Sequence, residues 1–207
     1  LPDLTVRISS DQKITDGIMN LTITITNQGK SKSNPTNLYL YDGSVADGPA
    51  LAWFDVKVLE PGESQTFTYS FNCLGRAGAN TVSAFVDSGN SVYEFQKSNN
   101  EGKINFSVPE LSLGTTLEKE VYYTGDAVVI RSLITNLSRE SSSGQTLTTT
   151  VRDAADLVIF TDMKAIPPIE GMKTHMGDTL WLTSVELSEG VYTISQALQG
   201  KEGVWEK

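Results

Sequence analysis

Apolar and polar side chains alternate along much of the first half of the sequence. The alternation is strict over residues 19–27, where successive side chains point to opposite faces. A two-residue period is typical of β-strands with one face buried and the other in solvent. It predicts strands at 4–8, 19–27, 37–41, 52–58, 66–71, 82–86 and 104–108.

Turn-forming residues separate these predicted strands. In Glu60-Pro61-Gly62-Glu63, the fixed φ of Pro61 and the tolerance of Gly62 for positive φ predict a type II turn. Short strands joined by tight turns over residues 1–108 fit one antiparallel β-sandwich of immunoglobulin-like size. We therefore predict an all-β fold. Helix should be almost absent, because no long stretch has a 3.6-residue period.

The second half repeats features of the first. The opening Leu-Pro-Asp-Leu at 1–4 is echoed by Val-Pro-Glu-Leu at 108–111, and strands end at Asn27 in one half and at Asn136 in the other. Matched order and spacing favour two tandem immunoglobulin-like sandwiches, at 1–108 and 109–207. In the second, a less regular alternation predicts strands at 127–135, 145–152, 157–161, 179–185 and 191–198. Asn27 and Asn136 are expected to bond their own backbone in left-handed geometry, which ends each strand in a tight turn.

Composition and charge exclude several classes of protein. Of the 207 residues, 39% are hydrophobic and 20% are charged, which suits a globular chain, and no apolar run reaches the ~18 residues of a membrane helix. The formal net charge of −9 repels nucleic acids, so we expect neither a nucleic acid partner nor membrane insertion within these residues. The chain starts at Leu1 without a hydrophobic signal segment, which we interpret as a trimmed piece of a longer precursor.

No catalytic constellation is recognisable. His175, the single histidine, has no neighbouring nucleophile motif, and we interpret it as a loop histidine without a special role. Cys73 has no second cysteine with which to form a disulfide in this chain, and it is expected to be a small, partly buried apolar residue. The acidic residues are scattered, with no sign of a pair at the floor of a cleft. We predict no catalytic residues.

Oxygen-rich loops are the candidate metal sites. Calcium is the cation that such loops suit, because it prefers carboxylate and carbonyl oxygens that converge from flexible turns. The favoured alternative is turn chemistry, in which aspartate and asparagine cap their own turns. The candidate ligands are Asp42 and Asp47 in one loop, and Asp87, Asn90 and Glu94 near two further asparagines in another.

Aromatic side chains are the best indication of a binding surface. Alternation places Trp53 and Phe54 on opposite faces of a strand, so one of them should look outward. If the neighbouring leucines of strand 37–41 face the core, Tyr39 and Tyr41 join an exposed aromatic strip. Such a strip could stack on sugar rings or contact a protein, and coverage by other parts of the assembly is the favoured alternative.

The first half resembles a known family in the order of its short motifs. These are Pro2-Asp3-Leu4 at the start, Asn27-Gln28-Gly29 at a strand end, Leu-Glu-Pro-Gly-Glu-Ser at 59–64, and the stretch from Val86-Asp87 through Glu94 to Asn99-Asn100. Over residues 1–108 this order is similar to that of CARDB, the cell-adhesion-related domain of bacteria and archaea. The resemblance implies an immunoglobulin-like β-sandwich from a surface or secreted protein, with a structural or interaction role. The second half is similar to bacterial immunoglobulin-like modules of no single family.

The leading functional hypothesis is a non-enzymatic, extracellular module that spaces, displays or adheres as part of a larger microbial surface or secreted protein. Its partner would be a protein or a polysaccharide. The alternative is an accessory carbohydrate-binding or substrate-presenting module of a secreted enzyme. A third reading, a hydrolase with scattered carboxylates, requires two acids in one concave pocket.

Overall fold

The computed structural model describes residues 1–45, 48–184, 186–200 and 203–206. Every helix-or-strand element in these residues is a β-strand, which confirms the predicted all-β fold. In the same residues, no helix is long and apolar enough to span a bilayer.

Two antiparallel sheets form from the strands that precede residue 109. The described strands are β1 (Leu4–Ser9), β2 (Ile14–Thr15), β3 (Ile18–Asn27), β4 (Thr36–Asp42), β5 (Ala50–Val56), β6 (Ser64–Asn72), β7 (Gly78–Val86) and β8 (Glu101–Val108). In one sheet β3 lies between β1 and β6 and also neighbours β2, while the other sheet has the order β5-β4-β7-β8. The predicted strands of this half all overlap observed ones.

Two further sheets form after residue 109. Their described strands are β9 (Leu111–Leu117), β10 (Ala127–Asn136), β11 (Gln145–Arg152), β12 (Val158–Ile166), β13 (Thr174–Leu182), β14 (Thr193–Gly200) and β15 (Gly203–Glu206). The orders are β13-β10-β9 and β12-β11-β14-β15.

The chain divides into two compact units. The first comprises Leu1–Ile14, Ile18–Asn72 and Gly78–Val108, and the second comprises Thr15–Gly17, Cys73–Ala77 and Pro109–Lys207. Apart from the short β2, the two units repeat one strand arrangement, because β9, β10 and β13 are ordered as β1, β3 and β6 are, and the four-stranded sheets also correspond. The second unit therefore takes up two short segments that precede Pro109 in the sequence.

Strand prediction in the second half is wrong in detail at four places, of which one is β15, a strand that was not predicted. β9 was not predicted, because Gly114 and the threonines after it weaken the alternation. β12 continues beyond residue 161 to Ile166, and over these residues more exposed and more buried side chains still alternate. β13 begins at Thr174 and ends at Leu182, five residues earlier at its start than the prediction, and the predicted Val185 lies outside the described residues.

The sheets of the first unit pack through the apolar side of each strand. Aromatic pairs join the two sheets, since Phe67 of β6 lies 4.9 Å from Phe54 of β5 and Phe71 of β6 lies 5.2 Å from Phe106 of β8, between ring centroids. Full burial of one such side chain is worth about 1.5–3 kcal/mol. The fully buried aliphatic residues include Leu4, Leu21, Ile23, Ile25, Leu38, Leu40, Val82 and Val86.

The second unit has two buried clusters. One contains Leu111, Ile134, Leu147 and Leu198. The other is built on Trp181 of β13, whose ring centroid lies 6.3 Å from that of Phe160 and 5.9 Å from that of Tyr192.

The outer faces of the equivalent sheets differ in polarity. On the sheet of β3 and β6, the paired positions Thr24↔Thr66 and Asn20↔Ser70 are polar and hydrogen-bonded through their side chains. The equivalent pairs on β10 and β13 are Leu133↔Met176 and Val129↔Leu180, and Met176 and Leu180 are exposed. The repeated strand arrangement thus carries two different surfaces.

A buried asparagine at the end of β3 joins three segments of the first unit. The Asn27 side-chain amide donates to the carbonyl oxygens of Ser31, at 2.8 Å, and Leu59, at 2.9 Å. Its Oδ1 accepts from the backbone N–H of Asp3 at 3.1 Å and of Gly29 at 3.0 Å. The predicted bond to its own backbone is confirmed, but the predicted left-handed geometry is wrong, since φ is not positive at Asn27 or Asn136.

Asn136 makes the equivalent contacts in the second unit. Its amide donates to the carbonyls of Glu140 and Ile169, each at 2.8 Å, and its Oδ1 accepts from the N–H of Ser138 at 2.9 Å. Both asparagines are fully buried. Because a buried amide must find partners on every side, these residues fix the ends of β3 and β10 more firmly than apolar side chains would.

The turn before β6 has the predicted geometry. Glu63 N–H donates to the carbonyl of Glu60 at 2.9 Å, and Gly62 has a φ of 81°, as position i+2 of a type II turn requires. In the second unit Met172 takes the corresponding place with a φ of 61°.

We expect Asn27→Ala to lower the free energy of unfolding by about 2–4 kcal/mol, because it leaves two buried carbonyls and two amide groups without their partner. The measurement is urea unfolding of the full chain, followed by circular dichroism. Asn105→Ala is the matched control, because this exposed asparagine makes one side-chain bond to Thr81 and should cost about 0.5 kcal/mol. Equal effects of the two substitutions would contradict the role given to Asn27.

Candidate functional site

The outer face of the β5-β4-β7-β8 sheet carries a row of aromatic side chains. Trp53 of β5 lies directly opposite Tyr39 of β4, and Tyr39 lies directly opposite Phe85 of β7. Tyr41, two residues along β4, lies beside Tyr39 with its ring centroid 6.4 Å away. We call Trp53, Tyr39, Tyr41 and Phe85 the aromatic face.

Alternation along the three strands produces this face. Leu38 and Leu40 are buried on β4, so the tyrosines between and after them point away from the core. On β5, Phe54 packs inward on Phe67 and Trp53 points outward with 59% of its surface exposed. The prediction that Trp53 and Phe54 lie on opposite faces of one strand is therefore confirmed.

The aromatic face is less exposed at its centre than the sequence predicts. Tyr39, Tyr41 and Phe85 are half-buried, because neighbouring strands bring large side chains within about 5 Å of one another. Phe85 was missed in the sequence, although its place between the buried Ala84 and Val86 would have predicted its outward direction.

Polar side chains border the aromatic face. Next to Trp53 and Tyr39, the amide of Asn37 donates to the carboxylate of Asp55 at 3.4 Å. On the other side, Glu101 of β8 lies opposite Phe85. A flat surface of ring faces with hydrogen-bonding groups at its rim can stack on a ligand and orient it.

The loop between β7 and β8, residues 87–100, holds most of the predicted calcium ligands. Asp87 is buried, and its Oδ1 accepts from the hydroxyls of Thr36 at 2.8 Å and Ser91 at 2.7 Å. The backbone N–H groups of Ser91 and Val92 donate to the same oxygen at 2.8 and 3.2 Å. The ammonium of Lys97 lies 3.2 Å from Oδ2.

Glu94 joins this loop to the start of β1. Its Oε2 accepts from the backbone N–H of Leu4 at 2.6 Å, and its Oε1 accepts from the side-chain amide of Asn100 at 2.7 Å. Asn99 adds a bond to the Asp3 carboxylate at 2.9 Å. The Oδ1 of Asn100, a residue that is almost fully buried, has no hydrogen-bond partner.

The two buried carboxylates have pKa values shifted in opposite directions. For Asp87, burial raises the pKa, but the hydrogen bonds from Ser91, Thr36, Val92 and Lys97 outweigh it and hold the pKa below its usual value. For Glu94, burial dominates and raises the pKa, against the bonds from Asn100 and Leu4. The Asp87 charge raises the pKa of Glu94 further.

The structure brings Asp87 and Asn90 together, but around an ammonium group. Lys97 Nζ donates to Asn90 Oδ1 at 2.9 Å as well as to Asp87. In the part of the chain that the structure describes, no group of three or more His, Cys, Asp or Glu side chains is arranged to hold a metal ion. Asp42 lies at the end of β4, and its predicted partner Asp47 lies outside the described residues. Calcium binding stays a prediction.

Two aromatic side chains of the same loop were missed in the sequence. Tyr93 and Phe95 are almost fully exposed and alternate with the buried Val92 and Glu94. Phe95 N–H donates to the carbonyl of Pro2 at 2.9 Å, which holds this part of the loop against the chain before β1. A two-residue period inside a loop could have revealed both.

Two residues considered for catalysis, His175 and Cys73, have structural positions that differ from those predicted. His175 lies on strand β13, so the predicted loop position is wrong, and the reason is that β13 begins earlier than predicted. Cys73 lies just after β6 and is fully buried, more than predicted.

Comparison with known proteins gives a family match for the first unit. Residues 1–103 match the family model described as CARDB. No curated protein matches the chain.

Several solved structures are similar to the first half. The CARDB domain of a Pyrococcus furiosus protein, crystallised in complex with di-metal ions, is 24% identical, with a TM-score of 0.45, and the match covers 51% of this chain and 87% of that one. The solution structure of the same domain is 25% identical, with a TM-score of 0.46 and coverages of 52% and 95%. A Methanosarcina acetivorans domain, described as part of a cell-surface protein, is 28% identical, with a TM-score of 0.46 and coverages of 53% and 94%.

We expect Asp87→Asn to destabilise the first unit in a pH-dependent way. At pH 7 the loss should be about 2–4 kcal/mol, because an amide replaces a buried acceptor of several hydrogen bonds and leaves Lys97 without its anion. A carboxylate with a lowered pKa stabilises the fold above its usual value of 3.8, and this contribution is lost as the pH falls below it. The difference from the wild type should therefore shrink in acid.

The measurement is urea unfolding of both proteins from pH 7 down to about pH 3. Asp55→Asn is the control, since this carboxylate is exposed and its contact with Asn37 is long, at 3.4 Å. A difference between Asp87→Asn and the wild type that stays constant over this range would contradict the assignment.

Proposed function

Residues 1–103 belong to the CARDB family, and from this premise we propose that the protein is a non-enzymatic extracellular module of a larger microbial surface or secreted protein. Its role is to adhere to, or interact with, a partner outside the cell. Membership of a family of non-catalytic domains supports the first part of this proposal.

The aromatic face supports the second part of the proposal, namely that the module contacts a partner. An exposed tryptophan in register with Tyr39 and Phe85 is a feature that the stability of the sandwich does not need, because Trp53 leaves 59% of its surface in solvent. Large aromatic side chains bury much area on binding and lose little conformational entropy. The face therefore offers an anchor for a partner, while the two packed sheets keep it rigid.

The distribution of titratable groups supports a role without catalysis. The two buried carboxylates with shifted pKa values, Asp87 and Glu94, each accept hydrogen bonds from protein donors. Neither is left to act on a substrate.

A polysaccharide is the second candidate partner. Adjacent strands lie about 4.8 Å apart, so ring faces on three strands are spaced on the scale of single sugar residues. The amide and carboxylate of Asn37 and Asp55 lie at the rim, where they can bond to hydroxyl groups. Stacking bordered by hydrogen bonds suits a saccharide. A polar rim is also typical of protein interfaces, so binding measurements must distinguish the two partners.

We expect Trp53→Ala to weaken adhesion about tenfold, because truncation of an exposed aromatic anchor commonly costs that much or more. Fluorescent beads coated with the full chain would be counted on immobilised bacterial and archaeal cell envelopes. Tyr93→Ala is the control, since Tyr93 is exposed but lies outside the aromatic face. Equal adhesion of all three proteins would exclude the aromatic face as the contact.

The polysaccharide candidate makes a separate prediction on a glycan array and on insoluble cellulose and chitin. Saturable binding that Trp53→Ala abolishes and Tyr93→Ala preserves would favour a carbohydrate ligand. Adhesion to envelopes with no binding to any glycan would favour a protein partner instead.

A further inference from the structure

The loop 87–100 contains a pair of oxygen atoms with a cation already placed between them. Asp87 and Asn90 both have left-handed backbone conformations, with φ values of 58° and 52°, and Asn90 N–H donates to the Asp87 carbonyl at 3.0 Å. This turn presents Asp87 Oδ2 and Asn90 Oδ1 to the same ammonium group, that of Lys97, at 3.2 and 2.9 Å.

The Asp87 carboxylate needs a positive partner. Its side chain is completely buried, while that of Lys97 keeps 39% of its surface in solvent. A buried carboxylate is costly unless it is both hydrogen-bonded and paired with a charge. Neutral donors surround Oδ1, while Oδ2 accepts from the Val92 N–H and from the ammonium of Lys97, each at 3.2 Å.

A second buried carboxylate lies in the same loop. Glu94 is buried in the same loop, and its pKa responds to the charges of both Asp87 and Lys97. Glu94 is held by Asn100, whose buried Oδ1 has no partner. The loop thus combines two carboxylates and two amide oxygens, the donor types that a hard divalent cation prefers.

The residues present do not fit a metal ion while Lys97 holds its position. A cation that coordinated Asp87 Oδ2 and Asn90 Oδ1 together would have to displace the ammonium that contacts both of them. Lysine can fill such a position because its ammonium is compact and offers three donors.

We propose that Lys97 is a built-in cation, whose ammonium takes the position of a metal ion between Asp87 and Asn90. The loop of the wild-type chain is therefore held without a divalent cation. Removal of the ammonium should uncover a divalent-cation site of oxygen ligands.

Thermal unfolding of the full chain in EDTA and in calcium chloride tests this directly. For the wild type, the melting temperature should be the same in both to within about 1 °C, whereas Lys97→Ala should melt lower in EDTA and recover about 4 °C or more in calcium. Lys97→Glu adds a carboxylate oxygen in place of the ammonium and should gain more from calcium than Lys97→Ala does. Lys103→Ala, which removes an exposed lysine of β8, should behave as the wild type does.

Terbium luminescence provides a second measurement, because it reports binding even if a variant melts poorly. Saturable terbium binding that calcium displaces is expected for Lys97→Ala and Lys97→Glu, and not for the wild type or Lys97→Arg. Calcium binding by the wild type would overturn the proposal. So would variants that lose stability but bind no cation, since Lys97 would then be an ordinary ion-pair partner.

Discussion

A buried asparagine at a strand end, Asn27 of β3 in the first unit and Asn136 of β10 in the second, is the residue on which each sandwich depends. Asn27 is fully buried, and the carbonyls of Ser31 and Leu59 and the N–H groups of Asp3 and Gly29 all converge on its side chain. One side chain thereby fixes the end of a central strand, the entry to β1 and the connection between the two sheets. An apolar residue at this place would leave four polar groups to find other partners.

The same constraint explains why the two units can share a strand arrangement and differ in surface. Asn136 donates to two carbonyls as Asn27 does. In the first unit Leu59 N–H donates to the Ser33 hydroxyl, and Ser33 N–H donates to the Leu59 carbonyl. Ile169 and Ser142 form the same two bonds in the second unit. These contacts lie inside the sandwich and do not restrict the outward positions. The outer face of β3 and β6 can therefore be threonine-rich while that of β10 and β13 exposes Met176 and Leu180.

The sequence predicted those structural features that depend on residues adjacent in the chain. Alternation over 19–27 was enough to locate β3, and the Pro61-Gly62 pair was enough to locate a type II turn, because each depends on neighbours in the chain. Alternation also placed Trp53 and Phe54 on opposite faces of β5, and the structure shows that Trp53 is the one that points outward. Alternation failed for β9, where Gly114 contributes no side chain to the pattern, and for His175, which was placed in a loop because the start of β13 was missed.

The candidate sites were harder to predict because they depend on residues that meet only in the fold. The aromatic row needs the register of three strands, which sets Phe85 and Trp53 on either side of Tyr39 and which no single strand reveals. The acidic loop needs Thr36, distant in sequence, to complete the bonds of Asp87, and Leu4 to complete those of Glu94. From the sequence alone these carboxylates look available to bind a metal ion, because Thr36 and Leu4, which donate to them, are distant in the chain.

The aromatic face and the acidic loop differ in what they leave available to a partner. In the loop, the oxygen atoms of Asp87 and Glu94 already accept hydrogen bonds from the protein, so a ligand would have to replace contacts that the fold uses. On the aromatic face, Trp53 has a solvated ring, and covering it releases water without breaking a protein contact. Binding at low cost to the fold is therefore expected on the sheet surface, and the loop acts mainly to hold β1 against the strands that present that surface.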